Sequence, residues 1–175
     1  MAKMNWASRE GVASPLGVTW ISEEEAYNFA LYSKHASGVT LLLFSREDVT
    51  HPIYEYAFNP LVNKSGRVWH CRLAASAVSA AHYYAYRVSG PNEPGEGHRF
   101  DDQKILVDPY ARSLHFPEHF SREVARLPGS NAGRPPRQGR AACRVAGSPI
   151  GTPVARSCPV PEHDPFERAF DRESL

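Results

Sequence analysis

Paired cysteines, a surplus of one charge and long apolar runs are all missing from this 175-residue sequence, and each absence removes a class of protein. Cys71, Cys143 and Cys158 are odd in number and show no C-x-x-C spacing. They supply neither a disulfide framework nor a thiolate metal set, and a reducing compartment such as the cytoplasm suits them best. Lysine and arginine total 20 against 19 acidic residues, so no field draws the chain to nucleic acid or to an anionic membrane. No apolar stretch approaches the roughly 18 residues of a membrane span. The opening Met1-Ala2-Lys3-Met4-Asn5-Trp6 lacks the apolar centre of a secretory signal. These absences predict a soluble cytoplasmic protein with neither nucleic acid nor membrane as partner.

What is present sits mostly in the front of the chain. All 8 tyrosines and 3 tryptophans precede position 111, so the means of building a packed core lie there. Short segments of strand character are separated by turn residues. Glu25 to Ser33 sets Tyr27, Phe29 and Leu31 on one face, and Val39 to Ser45 is apolar almost throughout, as in a strand covered on both sides. Ile53 to Phe58 alternates Tyr54, Tyr56 and Phe58. Arg67 to Leu73 alternates Trp69, Cys71 and Leu73 against Val68, His70 and Arg72. His82 to Ser89 sets Tyr84, Tyr86 and Val88 opposite Tyr83, Ala85 and Arg87.

Asn63-Lys64-Ser65-Gly66 reads as a hairpin-type turn, Ala74 to Ala81 as a short helix or a loop, and Lys104 to Val107 as a brief strand. Gly90 to Asp102 reads as a long loop, and residues 115–127 have room for one short helix. The pattern predicts an all-β fold: an antiparallel sandwich of two sheets.

Three segments resemble the N-terminal domain of bacterial glycogen-debranching enzymes and isoamylases, grouped as carbohydrate-binding module family 48. The first is Ser14-Pro15-Leu16-Gly17-Val18-Thr19 with Asn28 to Ala36 and Val39 to Phe44. The second runs from Tyr84-Ala85-Tyr86-Arg87-Val88-Ser89-Gly90-Pro91 through Gly97-His98-Arg99-Phe100 to Leu106-Val107-Asp108-Pro109-Tyr110-Ala111-Arg112. The third is Pro128-Gly129-Ser130-Asn131-Ala132-Gly133. The resemblance implies an immunoglobulin-like (E-set) β-sandwich over residues 10–114, followed by a linker over 115–134. In that family the linker leads to a (β/α)8 barrel that cleaves α-1,6 branch linkages with two carboxylates.

Such a barrel needs at least about 200 residues, and the likeness ends at Arg134, with 41 residues to follow. In the last 44 residues, 11 are proline or glycine, and arginine wholly replaces lysine. Residues 135–175 are therefore expected to be a poorly structured tail, disordered or arising from truncation or a frame shift near Gly133. No catalytic residue and no cofactor is assigned. The implied role is a non-catalytic module that helps bind or position α-glucan, with glycogen or maltodextrin and the parent barrel as partners. A purely structural module docked on that barrel is the first alternative, and an enzyme in its own right is the second.

Sugar recognition by such a module calls for aromatic rings laid flat on pyranose faces, with polar groups fixing hydroxyls. Trp69, Tyr83, Arg87, Trp20 and Tyr32 are the chosen candidates, with Tyr54 and Tyr56 behind them. The competing reading of each ring is plain core packing. His115-Phe116-Pro117-Glu118-His119 spells H-x-x-E-H, but Pro117 interrupts the helical turn that zinc ligation needs, and no metal is assigned. Asn63-Lys64-Ser65 has the form of a glycosylation sequon and is read as a turn.

Overall fold

The computed structural model describes residues 10–116 and the backbone of residues 142–144. They build two antiparallel sheets. The first contains β1 (Gly17–Ile21), β2 (Ala26–Tyr32), β5 (Lys64–Ser65) and β6 (Val68–Ala74), in the order β1-β2-β6-β5. The second contains β3 (Gly38–Phe44), β4 (Tyr54–Ala57), β7 (Tyr83–Ser89), β8 (Leu114–His115) and β9 (Ala142–Arg144), in the order β4-β3-β7-β9-β8. The all-β sandwich expected from the alternation is the architecture found.

The five long segments read from the sequence match β2, β3, β4, β6 and β7 to within two residues at each end. Tyr27, Phe29 and Leu31 of β2 face Trp69, Cys71 and Leu73 of β6 in register, and all six point into the core between the sheets. Leu41 and Leu43 of β3 meet Tyr86 and Tyr84 of β7 from the other side. Leu42 and Phe44 point the opposite way and form a second cluster with Tyr83 and Ala85, closed by Val49 and Ile105. That second cover explains why β3 is apolar at nearly every position.

Three local readings change. The two-residue hairpin loop is Gly66-Arg67, joining β5 to β6, because Lys64 already pairs with Trp69 and Ser65 with Val68. Lys104 to Val107 makes a single bridge, Leu106 to Tyr86, rather than a strand. Ala75–Val78 is one 3-10 turn, resolving the alanine-rich stretch. Within the expected tail, Ala142–Arg144 pairs with Tyr83 and Tyr84 on one side and with β8 on the other. The rest of the linker and tail, and the helix expected over residues 115–127 from Pro117 onward, lie outside the described residues.

A segment before β1 crosses the outer face of the first sheet. The Val12 amide donates to Asn28 Oδ1 at 2.7 Å, and Asn28 Nδ2 donates to the Val12 carbonyl at 2.9 Å. Asn28 is thereby buried at 0% exposure with its amide satisfied, which makes a polar residue tolerable in the middle of β2. At the start of β1, Gly17 has φ +91°, and a β-carbon there would sit 3.1 Å from the Tyr110 carbonyl oxygen. Glycine meets both demands.

Candidate functional site

Between the Leu106 bridge and β8 the chain turns at a corner built on Asp108. Its Oδ1 accepts the Tyr110 amide at 2.8 Å, and its Oδ2 accepts the Tyr84 hydroxyl at 2.9 Å. Asp108 is 2% exposed, and burial pushes its carboxyl above the usual carboxylate value, opposed by the Tyr110 amide and the Tyr84 hydroxyl. A carboxyl with a raised folded-state pKa stabilises the fold fully below the ordinary value of 3.8, and that contribution is lost as pH rises through the raised value. Asp108→Asn is therefore expected to melt higher relative to wild type at pH 7 than at pH 4. Paired thermal melts at the two pH values read this difference, and an equal offset at both removes Asp108 as the titrating group.

Beside this corner two clefts of about 160 and 230 Å³ adjoin, sharing Val88, Phe100 and Leu106. Tyr32, Ser33 and Pro109 line the first, and Arg99, Asp101 and Lys104 line the second. Tyr32 is 48% exposed at the end of β2, so its ring is open to solvent. Phe100 reaches the groove because the Gly90 to Phe100 loop folds back on itself. A β-carbon on Gly90 would meet the Phe100 ring at 2.6 Å, so only glycine admits it. Both clefts are smaller than the roughly 300–1,000 Å³ of an enclosing small-molecule pocket. This is a shallow groove with one open ring, an apolar floor and a charged rim.

The structure separates the five sequence-derived candidates. Trp69 is fully buried between the sheets, stacked near Phe58 at a centroid distance of 6.4 Å, with the Lys64 ammonium 4.4 Å from its ring centre. Tyr83 is 8% exposed in the second cluster, its ring stacked on His115 at 4.7 Å. Neither ring offers a face to solvent, so both are corrected from candidate sugar platforms to packing residues. Trp69 lies on the core side of β6, and the outer face carrying Tyr83 is covered by Val49, Ile105 and His115.

Arg87 stays on the outer face of the second sheet and pairs with Glu55 at 3.4 Å. Trp20 is 39% exposed on the edge strand β1, tilted against Tyr27 at 4.8 Å. Since Trp20 pairs with Tyr27 in register, five residues of β2, or about 17 Å of strand, separate it from Tyr32. The two exposed rings therefore form no common platform. Of the five, only Tyr32 lines the groove. Phe100 and Arg99 were missed because Gly90 to Asp102 read as a plain loop, and Lys104 and Leu106 because Lys104 to Val107 read as a strand; an aromatic inside a polar Pro/Gly-rich loop was the available signal.

Tyr54 and Tyr56 are half-buried, and the Tyr56 hydroxyl donates to Asn63 Oδ1 at 3.1 Å. Asn63 is itself 1% exposed, so its amide is part of the turn and inaccessible to a glycan. Of the H-x-x-E-H pattern, His115 and Phe116 are described and Pro117 to His119 lie outside. Among the described residues no group of three or more histidine, cysteine or acidic side chains could hold a metal ion. Nor is any helix among them long and apolar enough to cross a membrane.

Comparison with known proteins places this geometry. Residues 15–111 match the family described as carbohydrate-binding module 48 (isoamylase N-terminal domain). A chloroplastic isoamylase 3 of Oryza sativa subsp. japonica is 35% identical over 123 residues, covering 67% of this chain and 15% of that protein. A glycogen debranching enzyme of Serratia proteamaculans is 38% identical over 107 residues, covering 61% of this chain and 15% of that protein. The chain thus spans about 15% of the length of these relatives. Among solved structures, the product complex of the multi-modular glycogen-degrading pneumococcal virulence factor SpuA aligns over 83% of this chain and 13% of that one. It does so at a TM-score of 0.51 and 16% identity, a likeness of fold alone. With the family match covering more than half of its residues and taking in β1 to β7 and the Asp108 corner, the chain belongs to the carbohydrate-binding module 48, isoamylase N-terminal domain, family.

Proposed function

We propose that the chain is a cytoplasmic, non-catalytic accessory module of an α-1,6-glucan debranching enzyme, and that it holds or positions α-glucan through the Tyr32 groove. The observation that carries this reading is the groove itself. An open tyrosine ring adjoins an apolar floor of Phe100 and Leu106, with Arg99, Asp101 and Lys104 at the rim to meet hydroxyls. The family match supports the substrate class, and the small cleft volumes favour holding a chain over cleaving one.

Calorimetric titration of the chain with maltoheptaose tests the proposal. Saturable heat is expected, and Tyr32→Ala is expected to weaken binding by about 3–10-fold, the range for losing one ring contact. Heat that persists unchanged in Tyr32→Ala rejects this groove.

A specific observation favours the docking reading as the second one. Leu106 and Tyr110 are 45% and 53% exposed on either side of the Asp108 corner, an apolar face open to a partner domain. Absence of any heat with maltoheptaose, in wild type and variant alike, leaves docking as the surviving role.

A further inference from the structure

The loop from Gly90 to Phe100 meets the rest of the sandwich through the Phe100 ring, packed on the core, and through a contact between two histidines. His35 lies in the connector between β2 and β3, and its ring centre is 4.4 Å from that of His98, with the planes at 52°. The connector itself is anchored, because the Ser37 amide donates to the Ser89 carbonyl at 2.9 Å and the Ser33 amide to the Arg67 carbonyl at 2.9 Å. Inside the loop the Glu96 amide donates to the Glu93 carbonyl at 2.9 Å, while the bonds from Gly97 to Pro94, His98 to Glu93 and Phe100 to Pro91 are longer, at 3.1 to 3.3 Å.

We propose that His35 and His98 form an acid-released clasp, closed while both rings are neutral and opened by repulsion when both carry a proton. The surroundings favour release. The charges acting on His35 are Lys34 from its own connector, His98 from the loop and Arg67 from the turn before β6, and all are cationic or become so. Desolvation and these cations together hold the His35 imidazole below the ordinary histidine value of 6.5. A base with a depressed folded-state pKa supports the closed form at pH above its ordinary value. That support is lost as pH falls through the depressed one. Acidification therefore loosens the loop that seats Phe100 in the groove floor.

The test reads the loop and not the sugar, so it can fail while the glucan proposal stands, and the reverse. Amide hydrogen exchange at Gly97, His98 and Phe100 is measured at pH 7.5 and pH 5 in low salt and expressed as protection factors, which removes the intrinsic effect of pH. Protection is expected to fall about fivefold at the lower pH, the factor that two unit charges roughly 4 Å apart exert in water. In His98→Phe the ring contact remains and one charge is gone, so the fall is expected to vanish. Should that variant not fold, His35→Phe removes the other charge and carries the same expectation. Equal protection at both pH values in wild type overturns the clasp, as does an undiminished fall in the folded variant.

Discussion

Trp69→Ala is expected to lower the unfolding free energy by about 3–5 kcal/mol, the range for removing a large buried aromatic. Trp69 has no exposed surface, packs against Phe58 and Leu31, and carries the Lys64 ammonium over its ring. Its indole N–H has no acceptor among the described residues, so the loss is one of apolar contact and not of hydrogen bonding. Trp69→Phe keeps much of the ring and deletes the unsatisfied donor, and is expected to cost only about 1–2 kcal/mol. Urea unfolding followed by circular dichroism measures both. A domain of this kind holds roughly 5–15 kcal/mol in all, so the alanine variant sits near the edge of folding and the phenylalanine variant is the cleaner probe of function. If Trp69→Phe unfolds like wild type yet loses maltoheptaose binding, the ring serves the sugar and its burial has been misread.

The second large effect is expected at Glu24. Arg72 Nη1 donates to both carboxylate oxygens of Glu24, at 2.9 and 2.8 Å, and the two side chains are only 15% and 16% exposed. Among the described residues the buried Arg72 Nε has no partner, so the guanidinium depends on the Glu24 carboxylate. Exposed ion pairs contribute about 0–1 kcal/mol, whereas removing one member of a buried pair costs about 3–5 kcal/mol. Glu24→Ala lies between these limits, at about 2 kcal/mol. The exposed Arg87–Glu55 pair, at 3.4 Å, is expected to contribute under about 1 kcal/mol. Removing both partners, in Glu24→Ala with Arg72→Leu, is expected to cost less than Glu24→Ala alone, because no charge is stranded. A double variant at least as unstable as the sum of the singles would rule out coupling between them.

The local pattern was readable because strand alternation is written in nearest neighbours. Tyr84 and Tyr86 on one face and Leu41 through Leu43 covered on both follow from the residues themselves. Alternation alone, however, does not say which face meets solvent. Trp69 and Tyr83 sit on opposite kinds of face, and both proved buried. One faces the inter-sheet core, and the other lies beneath Val49, Ile105 and His115, which come from distant parts of the chain. Asn28 is tolerated in mid-strand because Val12, 16 residues away, satisfies its amide.

By itself the sequence determined the sandwich, the edges of its principal strands and the family resemblance, since these rest on period-two alternation and short turn motifs. Tertiary structure alone decided which rings remain open. That choice depends on the covering segments before β1, after β3 and beyond Gly90, and on how β9 lies beside β7. Burial is a sum over neighbours far apart in the chain, and no local pattern records it. The groove of Tyr32, Phe100 and Arg99 exists because the fold brings together residues nearly seventy positions apart.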